Sequence, residues 1–479
     1  MEPTAAPAQA TSTPRALKTL PGPRPLPLLG NALAIRPETI HLTLEDWARR
    51  YGPVYRCNLG PSPTLVLSNP EAIRKVLVDR PAAFRRIRSI EATMADMGVL
   101  GVFGAEGENW RRQRKLLNPG FQAAHLETFY PALVTLTQRL QGLLERAAQD
   151  SSSVDMLSML MRYTVDVTSI VAFGKDIDTQ LKGPDALQRH LEVIFPAIQQ
   201  RVVAPFPYWK LLPSARRVDQ ALAATRKVLL EIIDEARRTL EREPERAVKP
   251  RTLLDAMLVA QDEEGGARLS DSEVYSNVVT LLLAGEDTTA NTLTWMLHFL
   301  SVMPAVQARA REEVDAVLGA EAIATMAHLK QLHYVAGVAQ EALRLRSPVP
   351  LMYFEANADT VVEAVAVPKG RGIIVLTRLP CLDNAYFGDA ERFRPERWLP
   401  QPPPDTLPHS ARLMMPFGAG SRVCPGRSLA LIECALVTGM VLRHFEVEAV
   451  DPSAPVREVN AFTVQPEGVR LRFKRRQPR

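Results

Sequence analysis

The stretch Phe417-Gly418-Ala419-Gly420-Ser421-Arg422-Val423-Cys424-Pro425-Gly426 decides how this 479-residue chain is interpreted. A cysteine that binds a metal as a thiolate needs a lowered pKa and shielding from water and oxidants. Peptide N–H groups aimed at the sulfur supply the first condition, and an aromatic lid such as Phe417 supplies part of the second. Glycines at 418, 420 and 426 allow the backbone to fold closely around the sulfur. The stretch therefore predicts a metal-binding loop with Cys424 as the ligand.

An apolar run, Leu429-Ala430-Leu431-Ile432, follows the loop and predicts a helix that begins just after Cys424. The positive end of that helix dipole favours a thiolate. The alternative interpretation is a buried structural cysteine in a glycine-rich turn. The complete pattern of residues around the cysteine favours the ligand.

The loop resembles the haem-binding loop of the cytochrome P-450 superfamily, whose pattern is Phe, two residues, Gly, three residues, Cys, one residue and Gly. Phe417, Gly420, Cys424 and Gly426 occupy those positions. The resemblance implies that Cys424 is the axial ligand of haem b iron, and that Phe417, Gly426 and the basic residue Arg422 help to bind the cofactor. It also implies a mainly α fold with small β-sheets, arranged as one large helix-rich domain with a minor β-rich region. A soluble, bacterial-type member of the superfamily is expected.

Composition and cysteine usage are those of a folded intracellular protein. Hydrophobic residues make up 46% of the chain and charged residues 23%. The four cysteines (Cys57, Cys381, Cys424 and Cys434) are widely spaced, which argues against a disulfide framework and for a reducing compartment. We therefore expect a cytoplasmic protein.

The apolar stretches are too short to predict stable membrane insertion. The longest, Val278-Val279-Thr280-Leu281-Leu282-Leu283, soon reaches Glu286 and Asp287. No apolar signal region occurs in the first thirty residues. An organellar transit peptide is the alternative, since Arg15 and Lys18 are accompanied by Ser and Thr residues.

Proline and hydrophobic patterning organise the rest of the chain. The proline-rich segment at residues 21–27 follows an expected flexible tail (residues 1–20) and opens a single catalytic domain (residues 21–479). Residues 54–67 predict a short hairpin, and residues 106–345 predict long helices separated by Pro and Gly. Residues 361–376 alternate as strands do, with a break at Pro368-Lys369-Gly370.

Two segments far apart in sequence predict a buried charge cluster. Glu341 and Arg344 are three residues apart on one helix face, where a solvent-exposed pair would contribute almost nothing. The segment Phe393-Arg394-Pro395-Glu396-Arg397-Trp398 resembles the family segment whose arginine joins this pair. The resemblance implies that Glu341, Arg344 and Arg397 form a structural cluster behind the haem that holds the loop presenting Cys424.

Polar residues interrupt an otherwise apolar helix at Ala284-Gly285-Glu286-Asp287-Thr288-Thr289. Gly285 weakens a helix, and Thr288 can bond its own backbone, so we expect a kink or an opening there. In the family this distortion forms an oxygen-binding groove. The resemblance places Ala284 beside the cofactor and makes Asp287 and Thr288 the catalytic acid–alcohol pair that relays protons during O₂ activation. The alternative is a helix with a polar patch.

Trp110 and Arg114 lie four residues apart and match the Trp-x-x-x-Arg of the family, which binds a haem propionate. Arg111, Arg112 and Lys115 fall on other faces of the same helix. They are either a solvated basic face or a docking surface for an acidic ferredoxin-type partner, which the net charge of +5 permits. A nucleic-acid partner is not expected, because no basic run is interleaved with aromatic residues.

Two positions depart from the family pattern. A basic residue that binds a propionate is usual where this chain has Phe354, and a glycine is usual where it has Ala364. Either Arg422 and Arg114 suffice to hold the propionates, or another partner replaces the missing basic residue.

Substrate contacts are placed by analogy and are mostly apolar, which predicts a hydrophobic small-molecule substrate. The alternative for each residue is plain core. A mobile lid is expected over residues 195–210, which include four aromatic side chains. The candidate contacts are Met94, Met97, Val99, Phe103, Leu283, Ala284, Val349, Leu351, Met352 and Phe462-Thr463-Val464, and the lid aromatics are Phe195, Phe206, Tyr208 and Trp209.

The resemblance, taken with the motifs, predicts a monooxygenase that inserts one atom of O₂ into a substrate by hydroxylation or epoxidation. Electrons would come from NAD(P)H through a reductase and a ferredoxin or flavodoxin, because the chain leaves no residues for a fused flavin or iron–sulfur domain. Two alternatives remain: a haem-thiolate isomerase or peroxygenase that needs no electron donor, and a non-catalytic haem sensor or carrier. The acid–alcohol pair favours the O₂-dependent reaction over the first.

Overall fold

The computed structural model describes residues 13–60, 62–184, 186–204, 207–261 and 268–476, with the backbone alone at positions 123 and 124. Helices dominate this part of the chain, as predicted. They are α1 (Ile40–Tyr51), α2 (Pro70–Val78), α3 (Arg88–Asp96), α4 (Gly107–Leu117), α5 (Ala123–Gln149), α6 (Met156–Phe173), α7 (Thr179–Lys182), α8 (Ala186–Val203), α9 (Ser214–Arg242), α10 (Glu245–Val248), α11 (Leu253–Val259), α12 (Asp271–Val302), α13 (Pro304–Leu318), α14 (Met326–Leu329), α15 (His333–Leu345) and α16 (Arg427–His444).

The strands of the described residues are β1 (Arg15–Ala16), β2 (Val54–Asn58), β3 (Pro63–Leu67), β4 (Phe84–Arg86), β5 (Val154–Asp155), β6 (Leu351–Ala356), β7 (Thr360–Val362), β8 (Val365–Val367), β9 (Gly372–Leu376), β10 (Phe445–Ala449), β11 (Arg457–Asn460), β12 (Val464–Glu467) and β13 (Arg470–Arg475). Within this part of the chain they form four small sheets with the orders β2-β3-β9-β6-β4, β1-β8-β7, β10-β13-β5 and β11-β12. The mainly α class with small β-sheets is therefore confirmed.

The predicted hairpin and the predicted strand region both form. Strands β2 and β3 pair antiparallel, with Val54 opposite Leu67. The region at 361–376 contains β7, β8 and β9, and the predicted break separates β8 from β9. Glu363 and Ala364 turn the chain between β7 and β8 with φ of 50° and 55°, a left-handed conformation that favours glycine. The departure at Ala364 therefore leaves the turn in place at the cost of some backbone strain.

The longest helix, α12, lies at the centre of the packing and contacts α6, α15 and α16. It begins with a capping box, in which Ser270 and Glu273 each accept from the other residue's backbone N–H. It then continues without a break to Val302, so the expected opening at Gly285 is not found. A Cβ on Gly285 would lie 2.4 Å from the hydroxyl oxygen of Thr168 on α6. The glycine therefore allows α6 and α12 to pack closely.

The packed part of the chain begins earlier than the predicted domain boundary at residue 21. Strand β1 pairs with β8, with Arg15 opposite Val365, and the side chains of Leu17 and Leu20 are buried. Residues 13–20 are thus part of the folded body. The first twelve residues of the expected tail lie outside the described residues.

Within the described residues, one helix has the length and apolar composition of a membrane span, namely Met156–Phe173 (α6). Of its 18 residues, 56% are buried inside the protein. Since α6 packs along α12, the same apolar composition is accounted for by the core.

We predict that Gly337→Ala destabilises the protein, whereas Gly142→Ala does not. A Cβ at Gly337 of α15 would lie 2.6 Å from the backbone carbonyl oxygen of Pro395, which cannot move aside as a side chain can. We expect a loss of about 1–3 kcal/mol from such overpacking. Beyond its own helical turn, no atom of the described residues lies within 4 Å of the Cβ position of Gly142 on α5, so alanine there should stabilise by about 0.4–1 kcal/mol. Urea unfolding of both variants measures the difference, and equal midpoints would contradict the account.

Candidate haem site

The predicted ligand loop (residues 417–426) is a tight turn closed by its own backbone. The N–H of Cys424 donates to the carbonyl of Phe417 at 2.9 Å. Gly420 has φ of 69°, and a Cβ there would lie 2.8 Å from the Cα of Val78 at the end of α2. A side chain at position 420 would therefore be strained by its backbone conformation and would also collide with α2. The loop is held close to the body of the protein at this glycine.

The sulfur of Cys424 lies at the start of α16. Burial raises the pKa of the Cys424 thiol, while the N–H of Gly426, the Arg114 cation and the N–H of Arg427 oppose that rise. Gly426 has an ordinary φ of −78°, and a Cβ on it would lie 3.9 Å from the sulfur. The Arg427 guanidinium lies 5.8 Å from the centroid of the Phe417 ring. A metal cation bound at the sulfur would favour the thiolate much more strongly than these groups do.

Two accessible positions occur in elements that otherwise pack in the interior. Cys424 is exposed, yet it is surrounded by enough protein atoms for desolvation to dominate its pKa. Ala284 is exposed on α12, although Leu283 and Thr289 are buried. These are the positions where the resemblance places the iron ligand and the surface beside the haem. The donor type and the accessibility of the two positions fit a haem group.

Of the two residues on α4 that are predicted to bind a propionate, Trp110 packs in the interior and Arg114 binds the ligand loop. Trp110 is buried. Arg114 is half-buried and donates from Nη2 to the carbonyl oxygen of Val423 at 2.7 Å. Arg114 therefore connects α4 to the ligand loop, one residue before the cysteine.

Arg422 is held by protein groups on most sides. Its guanidinium pairs with Glu106, donates to the carbonyl of Ala105 at 3.0 Å and lies 4.1 Å from the Trp110 ring centroid. Its Nε has no hydrogen-bond partner among the residues that the structure describes. Burial lowers the pKa of Arg422 to about 9, with Glu106 opposing and Arg80 adding to that decrease.

Two further arginines, which the sequence analysis missed, join this group. Arg80 lies 3.4 Å from the Glu106 carboxylate. The backbone N–H of Arg86 donates to the same carboxylate at 3.0 Å, and its side-chain Nε donates to the carbonyl of Phe103. Burial lowers the pKa of Arg86 to about 9, and Arg80 and Arg422 contribute to that decrease. The Arg80 and Arg422 guanidinium groups pair with the Glu106 carboxylate, and the Arg86 guanidinium is close enough to interact electrostatically with all three. The group therefore carries excess positive charge.

The strand register connects these arginines to the departure at Phe354. Strand β4 pairs antiparallel with β6, and Arg86 lies directly opposite Phe354. The Arg80 guanidinium lies 4.6 Å from the centroid of the Phe354 ring. Like Cys424, Arg86 is partly accessible although desolvation dominates its pKa. Arg80 and Arg86 therefore place positive charge next to Phe354, the position at which a basic residue is usual.

The acid–alcohol segment is arranged along one regular helix. The Thr288 hydroxyl donates to the carbonyl of Ala284 at 2.9 Å. Burial raises the pKa of Asp287, and hydrogen bonds from Thr463 and Gln465 oppose the rise. Burial and the neighbouring Asp287 raise the pKa of Glu286 to about 8. Both carboxyl groups can therefore hold a proton nearer to neutral pH than an exposed acid can.

Glu341, Arg344 and Arg397 are brought together and are almost fully buried. Arg344 donates to both carboxylate oxygens of Glu341 at 2.8 and 2.7 Å, and Arg397 lies 3.3 Å from Glu341. The Trp398 indole N–H also donates to Glu341, at 2.9 Å. Arg344 binds carbonyls at 381, 390 and 392, so the cluster fixes that segment directly. The segment in turn bonds residues 408–410, which precede the ligand loop.

The other candidates are distributed between surface and core. On the basic face of α4, Arg111 pairs with Glu108 and Arg112 pairs with Glu273. Lys115 is exposed and also has an interaction partner. These cations are already engaged within the chain, which reduces the charge they offer to a partner.

Two of the candidate substrate contacts, Phe103 and Phe462, face each other, whereas others lie in separate parts of the core. The Phe103 and Phe462 rings lie 6.1 Å apart, so the segment after α3 contacts the C-terminal turn. Met94, Met97 and Val99 pack in the core with residues of α8, α9 and α12. In the expected lid, the Tyr208 and Trp209 rings lie edge to face, while Phe206 lies outside the described residues.

We predict that Glu341→Gln strongly destabilises the protein, because it leaves two buried guanidinium groups without their counter-charge. Breaking a buried ion pair in this way costs about 3–5 kcal/mol. The matched control is Glu235→Gln, which removes an exposed carboxylate paired with Arg238 and Arg242. Thermal unfolding should show a large decrease in melting temperature for the first variant and no measurable change for the second. Similar melting temperatures would contradict a structural role for the cluster.

Comparison with known proteins agrees with this geometry. The model of the cytochrome P-450 family matches residues 20–473. Cyclooctat-9-en-7-ol 5-monooxygenase of Streptomyces melanosporofaciens is 30% identical over 455 residues, which are 93% of each chain. The chloroplastic protein LUTEIN DEFICIENT 5 of Arabidopsis thaliana is 27% identical over 93% of this chain and 76% of its own. A bifunctional cytochrome P-450/NADPH–P-450 reductase of Gibberella moniliformis is 27% identical over 98% of this chain and 41% of its own. The chain therefore belongs to the cytochrome P-450 family.

Proposed function

We propose that this cytochrome P-450 inserts one atom of O₂ into a small hydrophobic substrate, by hydroxylation or epoxidation, with Cys424 as the iron ligand of haem b. The observation that carries the proposal is the position of the Cys424 sulfur, which is accessible and faces the N–H groups at the start of α16. Haem, when bound, supplies the activation of O₂. The name of the Streptomyces relative, a monooxygenase, supports this class of reaction.

The polar residues of α12 would move protons. The Thr288 hydroxyl, held 2.9 Å from the carbonyl of Ala284, can exchange that bond for one to a reacting oxygen. Asp287 is adjacent on the helix, and burial raises its pKa, so its carboxyl holds a proton to higher pH than an exposed aspartate does. Asp287 would therefore supply protons, and Thr288 would deliver them.

The arginine group would bind the haem propionates. Arg80 and Arg422, which pair with Glu106, and Arg86, which is electrostatically coupled to them, exceed the charge of Glu106 by two, which equals the charge of two ionised propionates. Arg114 would add a further donor beside the ligand loop. In this arrangement Arg86 replaces the basic residue that Phe354 does not provide, since the two face each other across the β4–β6 pair.

The electron donor would be a ferredoxin or flavodoxin with its NAD(P)H reductase. The net charge of +5 and the exposed cations Arg111 and Lys115 favour an acidic partner, although local pairing reduces their effect. A cytoplasmic location is supported by the four cysteines, which are all free.

We predict that Cys424→Ser abolishes the thiolate-type ferrous–CO spectrum and product formation. A serine hydroxyl is not ionised at neutral pH and cannot replace the thiolate donor. Wild-type protein supplied with NADPH, ferredoxin and ferredoxin reductase should incorporate one ¹⁸O atom from ¹⁸O₂ into product. Product formation that needs no donor would support the isomerase or peroxygenase alternative, and haem binding without turnover would support the sensor alternative.

We predict that Arg86→Ala releases haem faster, whereas Arg85→Ala does not. Arg85 is the neighbour of Arg86 on β4 and instead pairs with Glu91 and Glu355. Loss of a charge-assisted hydrogen bond should accelerate haem loss by roughly 10- to 100-fold. Transfer of haem to excess apomyoglobin measures the rate without any need for turnover. Equal rates for the two variants would contradict the assignment of Arg86.

A further inference from the structure

A hairpin near the C-terminus brings a polar side chain to the acid of α12. Strands β11 and β12 pair antiparallel, with Asn460 opposite Val464, so residues 461–463 form the tip. The tip is fixed by a bond from the Ala461 N–H to the Thr463 carbonyl at 2.9 Å. A second bond, from the Val464 N–H to the Pro348 carbonyl, also measures 2.9 Å. Thr463 is therefore held in place by the backbone on both sides.

The base of this hairpin is anchored by buried charge. Glu458 on β11 pairs with Arg378, and Arg378 also binds Glu45 at 2.9 Å. Arg346 lies 3.5 Å from the Glu458 carboxylate. The approach of His41 Nε2, at 3.4 Å, and pairing with these arginines hold the pKa of Glu458 down at about 2, against the effect of burial. These ion pairs attach the hairpin to α1 through Glu45, and Glu458 stays ionised at neutral pH.

The Thr463 hydroxyl links two residues of α12 that are one helical turn apart. It accepts from Asn291 Nδ2 at 2.9 Å and donates to Asp287 Oδ2 at 3.4 Å. Thr463 and Asn291 are buried, at 4% and 0% exposure. Because an amide N–H can only donate, the single hydroxyl hydrogen of Thr463 is left to point at the carboxylate. The three side chains form a directed chain that ends on Asp287.

We propose that Thr463 is a positioning residue for the proton relay: its hydroxyl holds the Asp287 carboxyl in the orientation from which the acid exchanges protons. The proposal rests on the role proposed above for Asp287. It assigns to the hairpin tip a function other than substrate contact. The preceding residue, Phe462, faces Phe103, so one tip serves both the apolar segment and the acid.

Removal of the hydroxyl has a defined electrostatic effect. The bond from Thr463 lowers the pKa of Asp287, as does the bond from the Gln465 amide, while burial raises it. Glu286 is the adjacent titratable group on α12. Thr463→Val keeps the shape of the side chain but removes the donor, so the pKa of Asp287 should rise and its carboxyl should stay protonated to higher pH.

Infrared titration of the holoprotein tests this without a substrate. The carboxyl C=O band that is absent in Asp287→Asn reports the protonation of Asp287. In Thr463→Val we expect the midpoint of this band to move to higher pH by about one unit, which is a tenfold change in proton affinity. Thr463→Ser, which keeps the hydroxyl, should restore the wild-type midpoint. Asn460→Ala is the matched hairpin control, because it removes only an exposed bond to the carbonyl of Pro37.

A second measurement follows the fate of electrons. With NADPH, spinach ferredoxin and ferredoxin reductase, the fraction of consumed O₂ that appears as hydrogen peroxide should increase several-fold in Thr463→Val and should return towards wild type in Thr463→Ser. Thr288→Ala, which removes the proposed delivering hydroxyl, should show the same increase. An unmoved infrared midpoint in Thr463→Val would overturn the proposal, as would a shift that Thr463→Ser does not reverse. A wild-type peroxide fraction in Asp287→Asn would instead overturn the relay role of Asp287.

Discussion

The rest of the site depends on one constraint: a sulfur atom must be largely surrounded by protein atoms, yet remain accessible to a ligand and able to carry negative charge. Burial opposes that charge, and the N–H groups of Gly426 and Arg427 and the Arg114 cation offset part of the cost. Each of these groups depends on another element. The N–H groups of Gly426 and Arg427 are available to the sulfur because α16 begins there, and backbone N–H groups at the start of a helix have no acceptor within the helix. Helix α4 positions Arg114 beside the loop. Metal binding then supplies the remaining stabilisation of the thiolate.

Buried charge is organised at three further places, and each connects segments that are distant in sequence. Glu341 and its arginines fix the chain at 381–398. Glu106 gathers Arg80, Arg86 and Arg422 beside the ligand loop. Glu458 and Arg378 anchor the C-terminal hairpin. The second group carries the largest excess of positive charge, with three arginines beside one glutamate, whereas the first has two arginines beside Glu341. Such an excess is expected of a site that binds an anionic cofactor.

Much of this could be predicted from local sequence. The ligand loop, the helix after it, the hairpin at residues 54–67 and the strands near residue 365 follow from patterns within about twenty residues. The position of Arg86 opposite Phe354 could not be predicted from local sequence, because strand pairing between β4 and β6 brings together residues that are more than 250 positions apart. The close packing of Gly285 against Thr168 could not be predicted either, because the two residues are over one hundred positions apart in sequence. Local sequence alone therefore suggests a distorted helix at Gly285. The bond from Thr463 to Asp287 likewise exists only in the folded chain.

The central claim is that Cys424 binds the haem iron through its sulfur. X-ray absorption at the iron edge of the purified holoprotein tests it most directly, because sulfur scatters differently from nitrogen and oxygen. The account predicts one sulfur scatterer in the first coordination shell of wild-type iron, in addition to the four porphyrin nitrogens. A first shell of nitrogen and oxygen alone would contradict it.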